Sequence, residues 1–131
     1  MWFNNAIYKE KVDFMFGGEL SIKNVEFEDF LYHSGSILRV SFRSRDIPKK
    51  TPDKWKVKKF NTLVLTLSFG NVSLFECKGR NIGFNCTPVI VSKQKEATLL
   101  IENEHFYLEC VAGFMIIDDI TPCLDERWIK S

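Results

Sequence analysis

Short segments in which apolar and polar side chains alternate are the feature that most constrains the fold of this chain. In the clearest segment, residues 63–69, every second side chain is large and apolar: Leu63, Leu65, Leu67 and Phe69. A period of two is typical of a β-strand with one buried face, because successive side chains point to opposite sides of a sheet. Similar segments recur at roughly ten-residue intervals, with short polar turns between them. This spacing predicts a mainly β fold, an antiparallel β-meander of about seven to eight strands that is barrel-like or strongly curved.

The same alternation predicts where the other strands lie. They are residues 20–28, 38–43, 72–77, 82–91, 97–101 and 106–117. Gly70 and Asn71 predict a two-residue hairpin that joins segment 63–69 to segment 72–77, because both positions accept a positive φ. Pro88 indicates an edge strand or a bulge, since proline has no N–H to donate to a neighbouring strand.

One segment near the N-terminus has a helical period instead. Its apolar stripe consists of Tyr8, Val12, Met15 and Phe16. This stripe predicts one short helix over residues 5–16. The side chain of Asn4 or Asn5 is expected to cap its first turn. Gly17 and Gly18 are expected to end it, because glycine best tolerates the left-handed conformation at a helix C-terminus.

Composition limits the class of protein. A length of 131 residues fits a single domain over residues 1–131. Twelve Phe predict an aromatic core, and a net charge of +1 gives no bulk attraction to nucleic acid or a membrane. Charged residues at positions 9, 10, 11 and 13 interrupt any secretory apolar stretch, so we expect a cytoplasmic protein. Cys77, Cys86, Cys110 and Cys123 form no CxxC pair and are expected to be reduced.

Charge is unevenly distributed along the chain. Residues 43–59 hold eight basic and two acidic side chains, whereas residues 96–126 hold eight acidic side chains and no Lys or Arg. The candidate basic partner-binding loop comprises Arg43, Arg45, Lys49, Lys50, Lys54, Trp55 and Lys56. The candidate acidic partner-binding patch comprises Glu96, Glu102, Glu104, Glu109, Asp118 and Asp119. One interpretation is that either patch binds a partner of opposite sign; the other is that both are solvated edges and turns.

Motifs for catalysis are missing from the sequence. His33 and His105 are its two histidines, and neither belongs to an HxH or HExxH pattern. Gly17 and Gly18 form an isolated pair rather than a phosphate-binding loop, and no GxSxG elbow is present. The sequence therefore favours a protein that is not an enzyme, with no catalytic residue, cofactor or metal ion.

The middle of the chain resembles a known family. The resemblance rests on Pro48, Pro52, Lys54, Trp55, the Phe60-Asn61-Thr62 stretch and the alternating strand that follows it, and on the opening Met1-Trp2, the Gly17-Gly18 helix stop and the strand start at Leu20. These features are similar to those of immunity protein 50, over residues 1–75. That family consists of small cytoplasmic antidotes encoded beside bacterial polymorphic toxins, and it brings no catalytic or cofactor residues.

The resemblance leads to a first hypothesis, and the residues leave two alternatives. The first is a cytoplasmic immunity protein that binds a cognate toxin domain and neutralises it by stoichiometric occlusion. If the toxin is a nuclease, the acidic patch would imitate phosphate in its active site. The second is a β-barrel carrier of a lipid-like small molecule. The third is a single-stranded nucleic-acid binder that uses the basic loop and Trp55.

Overall fold

A computed structural model describes residues 1–129 of the protein. These residues form one α-helix, two short 3-10 helices and nine strands. The helices are α1 (Glu10–Phe16) and the 3-10 turns Asp53–Trp55 and Glu126–Trp128. The strands are β1 (Val25–His33), β2 (Ile37–Ser44), β3 (Thr62–Gly70), β4 (Leu74–Gly79), β5 (Asn85–Cys86), β6 (Val89–Ser92), β7 (Ala97–Glu102), β8 (Phe106–Ala112) and β9 (Phe114–Cys123).

The strands form two antiparallel sheets that are not closed into a barrel. The first sheet has five strands in the order β5-β1-β2-β3-β9, and the second has four in the order β4-β8-β7-β6. The predicted mainly β class with one short N-terminal helix is therefore confirmed. The predicted single strand over residues 82–91 is wrong, because the chain breaks at Pro88 into β5 and β6, which belong to different sheets. Both are edge strands, as the proline predicts.

Aromatic rings join the two sheets, as the Phe content predicts. Phe27 of β1 is fully buried, and its ring centroid lies 5.7 Å from that of Phe106 in β8. Phe42 and Phe84 also pack against the Phe27 ring, at centroid distances of 5.6 and 5.9 Å. Such offset and edge-on contacts add to the burial of apolar area. The inner faces of both sheets therefore pack against each other in one shared core.

The chain passes from one sheet to the other at two neighbouring places, between β3 and β4 and between β8 and β9. Strand β3 ends at Gly70 in the five-stranded sheet, and β4 pairs with β8 in the other sheet. The predicted hairpin at Gly70 and Asn71 is therefore wrong, although Asn71 does have a positive φ of 55°. The predicted single strand over residues 106–117 is also wrong, because it breaks at Gly113 into β8 and β9. The Gly113 N–H donates to the carbonyl of Gly70 at 2.9 Å, which holds the two crossings together.

Helix α1 is shorter than predicted at its start. It begins at Glu10, and no side chain caps its first turn. The Asn5 side chain instead donates to the Ser92 carbonyl at 2.8 Å and ties the N-terminal segment to β6. The predicted end is confirmed, since Gly17 has a φ of +65° at the C-cap. Residues 20–22 lie outside any strand, because the chain turns at Asn24 before β1 begins.

Candidate interaction surfaces

The outer face of the four-stranded sheet has several exposed apolar side chains. Its side chains form three rows across the strands, set by the antiparallel register. The rows are Leu74, Val111, Thr98 and Val91; Glu76, Glu109, Leu100 and Val89; and Lys78, Tyr107 and Glu102. Val89 is 54% exposed and Val91 is 45% exposed. We call these eleven residues the four-strand face.

One half of the four-strand face is acidic. Glu76 and Glu109 are register partners on neighbouring strands, so their carboxylates share one side of the sheet. Like charges in directly opposed positions destabilise a sheet. Partial burial and the carboxylate of Glu109 raise the pKa of the neighbouring Tyr107. Among residues 1–129 neither Glu76 nor Glu109 forms an ion pair, so this half has a local excess of negative charge.

The structure divides the predicted acidic patch between opposite sides of the protein. Glu109 lies on the four-strand face, and Glu102 lies in the same face at the end of β7. Glu96 and Glu104 lie in the turns before β7 and after it. Asp118 and Asp119 lie on β9 in the five-stranded sheet, where Asp118 accepts a hydrogen bond from the outward-facing Ser68. The six residues therefore do not form one surface.

The predicted basic loop is divided as well. Trp55 is only 3% exposed, because its indole packs between Phe16 and Phe60 at centroid distances of 5.6 and 5.7 Å. The ring covers one end of the core, and this burial leaves the indole little surface for a partner. Arg45 stacks on the ring of Trp128, with its Cζ atom 3.5 Å from the ring centroid.

Arg43 belongs to an internal ion-pair network. It pairs with Glu28 on β1, and its Nη1 lies 3.5 Å from the Asp125 carboxylate. Arg127 joins Asp125 to Glu26 through a bidentate pair of hydrogen bonds at 2.9 and 3.0 Å. We call these five residues, Glu26, Glu28, Arg43, Asp125 and Arg127, the C-terminal latch. It fixes the last described segment across the outer side of the five-stranded sheet.

Two shifts in pKa follow from the C-terminal latch. Hydrogen bonds from Arg127 lower the pKa of Asp125 to about 2, against the opposing effect of its burial. A hydrogen bond to Glu28 raises the pKa of Arg43. Asn61 holds the same segment by two backbone contacts, one donated to the Asp125 carbonyl at 2.9 Å and one accepted from the Asp125 N–H at 2.7 Å. The ion pairs of the C-terminal latch therefore stabilise the position of this segment on the sheet.

Two of the remaining predicted lysines, Lys50 and Lys54, line a groove between α1 and the loop that follows β2. Lys49, Lys50, Lys54 and Lys56 are all exposed. The groove has a volume of about 810 Å³. Its walls are Glu10, Asp13, Phe14, Met15 and residues 50–54. Phe14 is 85% exposed at its rim. Acidic and basic side chains alternate around the opening, so the groove has no single sign of charge.

Chemistry-bearing groups elsewhere are dispersed. The four cysteines are free thiols, and burial raises the pKa of Cys110 to about 12 and that of Cys86 to about 11. Residues 1–129 contain no group of three His, Cys, Asp or Glu side chains positioned to share a metal ion. No helix in that range has the length and apolar character needed to cross a bilayer.

Sequence reasoning missed most of the four-strand face. Glu76 lies outside the acidic run, and the apolar members belong to predicted strands whose two faces the sequence analysis does not distinguish. A signal was present, because residues 89–91 and 99–101 are apolar at three consecutive positions. A strand with one buried face needs an apolar residue only at alternate positions. Consecutive apolar residues therefore indicate that the second face of this sheet is apolar too.

The fold defines a small β protein of two packed antiparallel sheets. Comparison with protein families gives a match to immunity protein 50 over residues 8–123, nearly the whole chain. The chain therefore belongs to the immunity protein 50 family. This membership indicates an immunity function, favours a non-enzymatic inhibitor and implies a toxin partner in general. Comparisons with curated proteins and with solved structures returned no match.

Proposed function

We propose that this protein is a cytoplasmic immunity protein that binds one cognate toxin domain of a bacterial polymorphic toxin system and neutralises it. The observation that supports the proposal most is the family match over residues 8–123. Neutralisation would be stoichiometric: the protein occludes the toxin's active site, or a surface beside it, and performs no chemistry of its own. Nanomolar binding, about 12 kcal/mol of standard free energy, is sufficient for such an inhibitor.

Rigidity supports this mechanism. An inhibitor that presents a preformed surface loses less conformational entropy when it binds than one that must fold on its partner. Here the core is continuous between two sheets, the corner at Gly70 and Gly113 ties the bent strands, and the C-terminal latch fixes the last described segment. Both outer sheet faces are therefore held in place before any partner arrives.

The carrier alternative receives less support from the geometry. A lipid-like ligand needs an enclosed apolar cavity. Between the two sheets, that position is filled by Phe27, Phe42, Phe84 and Phe106, whose ring centroids lie 5.6–5.9 Å apart where they touch. The nucleic-acid alternative depended on Trp55 as a stacking platform, and this ring is buried.

Co-expression tests the proposed function. The C-terminal domain encoded by the neighbouring upstream gene is expressed in cells with this protein or with an unrelated small β protein as control. We expect this protein alone to restore growth and to co-elute with the domain as a 1:1 complex in size-exclusion chromatography. A lethal domain that this protein neither binds nor neutralises would contradict the proposal. A small molecule retained in native mass spectrometry would favour the carrier.

A further inference from the structure

The four-strand face has the composition of a protein contact surface. Six of its eleven side chains form one continuous apolar region across all four strands: Leu74, Val111, Thr98, Val91, Val89 and Leu100, with Thr98 contributing its methyl group. Leu74, Val89 and Val91 are each more than one third exposed. Large contiguous exposed apolar patches are uncommon on monomeric proteins and mark interaction sites. The inner side of the same sheet already packs in the core, so the apolar outer side is not needed for sandwich formation.

Charge on this face indicates which partner it fits. Glu76 and Glu109 oppose each other in register, and Glu102 adds a third carboxylate beside Tyr107. Lys78 is the one basic side chain in the three rows, and its Nζ lies 5.7 Å from the Tyr107 ring centroid. Repulsion between Glu76 and Glu109 is a cost that the free protein retains. A cation placed between them would convert the repulsion into two attractions.

We infer that the four-strand face is the docking surface for the toxin, and that the toxin presents a Lys or Arg side chain flanked by apolar residues. The cation would lie between Glu76 and Glu109, and its apolar neighbours would cover Leu100 and Val111. This arrangement has an apolar centre with a charged contact that fixes the register, as specific interfaces do. The inference rests on the proposed immunity function and names the surface that performs it.

The groove beside α1 fits a single partner less well. Its acidic residues, Glu10, Asp13 and Asp53, are interspersed with Lys50 and Lys54, so its charges largely compensate one another. Such a surface selects neither a basic nor an acidic partner. The four-strand face, with three carboxylates and one ammonium group in its rows, selects a basic one.

Charge reversal tests the inference. Glu109→Lys and a matched control, Asp29→Lys, are compared with the wild type for binding to the upstream-encoded toxin domain by isothermal titration calorimetry. Asp29 is exposed on β1 in the other sheet. We expect Glu109→Lys to weaken binding at least tenfold, which corresponds to about 1.4 kcal/mol, and Asp29→Lys to leave it within about twofold of the wild type. Since Glu109→Lys removes the repulsion with Glu76, it should melt no lower than the wild type, so lost binding would not reflect lost folding.

An apolar pair gives a second, independent measurement. Val111→Ser on the four-strand face should weaken binding, while Val64→Ser, at an outward-facing position of β3, should not. If the wild type binds and Glu109→Lys and Val111→Ser both bind equally well, the surface is wrong while the immunity function stands. If the wild type itself does not bind the domain, both the function and the surface are overturned.

Discussion

The two outer sheet faces of this protein differ in whether their charged side chains form ion pairs. On the five-stranded sheet, Glu26, Glu28 and Arg43 are paired within the C-terminal latch, and Arg39 lies 3.9 Å from Asp118. On the four-stranded sheet, Glu76 and Glu109 face each other without an ion pair in the described chain. Charges that are paired internally stabilise the fold, and charges left in repulsion are available to a partner. The same residue types therefore have different roles in the two sheets.

The largest expected effect comes from removing the central cation of the C-terminal latch. Arg43→Ala leaves Glu28 and Asp125 without a shared partner, and we expect the free energy of unfolding to fall by about 2 kcal/mol, because charge-assisted hydrogen bonds in a partly buried network are lost. Arg39→Ala, at an exposed pair, should change it by less than about 0.5 kcal/mol. Urea denaturation measures both. Similar values for the two variants would remove the distinction between the latch and an ordinary surface pair.

Acid should act on the C-terminal latch before it acts on the rest of the sandwich. The pKa of Asp125 is lowered to about 2 in the folded state, against about 3.9 in an unfolded chain. Its contribution to stability is therefore complete above about pH 4 and is lost as the pH falls towards 2. Asp125→Asn should be less stable than the wild type at pH 7, and this difference should shrink between pH 4 and pH 2. A difference that is constant over that range would contradict the assignment.

One substitution made on each face should give opposite signs. Glu109→Gln relieves the repulsion with Glu76, so we expect the protein to become more stable by about 0.2–1 kcal/mol. Glu28→Gln removes a charge that Arg43 neutralises and should destabilise it. Thermal unfolding of the two variants gives the comparison directly. Destabilisation by Glu109→Gln would show that this carboxylate is satisfied in the free protein.

The smallest expected effect concerns a thiol on the edge strand of the four-stranded sheet. Cys77 is exposed on the edge strand β4, while Cys110 is buried and its pKa is raised to about 12. Because the thiolate is the nucleophile, iodoacetamide should alkylate Cys77 and leave Cys110 unmodified in the folded protein. Cys77 is the register partner of the buried Leu108, so its side chain lies on the opposite side of the sheet from the four-strand face. Binding of the toxin domain to the four-strand face should therefore leave the rate of Cys77 alkylation unchanged. Slowed alkylation in a saturated complex would place the interface on that opposite side.

Local patterns in the sequence predicted most strands, because burial of one face places an apolar residue at every second position of a strand. The alternation over residues 63–69 is an example, because neighbouring residues alone predict the strand β3 there. Strand pairing is a long-range property. Asn71 has the positive φ that a hairpin needs, but the same conformation also fits a corner between sheets. At Gly113 the buried positions change from even-numbered residues in β8 to odd-numbered residues at the start of β9. The continuous apolar run on both sides of this glycine conceals the change in the sequence.

The candidate surfaces were harder to predict for the same reason. The acidic residues from 96 to 126 share one stretch of sequence that has no Lys or Arg. However, β8 and β9 belong to different sheets, and this separates Glu109 from Asp119. Arg43 and Trp55 showed their charge and aromaticity in the sequence but not their partners. Residues that are close in sequence therefore predict a shared surface only where their strands belong to the same sheet.

Hydroxyl-radical footprinting of the free protein and of its complex with the upstream-encoded toxin domain tests the central claim most directly, because it reports the exposure of individual side chains. The account predicts that Leu74 and Tyr107, on the four-strand face, become protected in the complex. Leu31, which is 55% exposed on the outer side of the five-stranded sheet, should react as before. Protection of Leu31 with unchanged reactivity at Leu74 and Tyr107 would contradict the account.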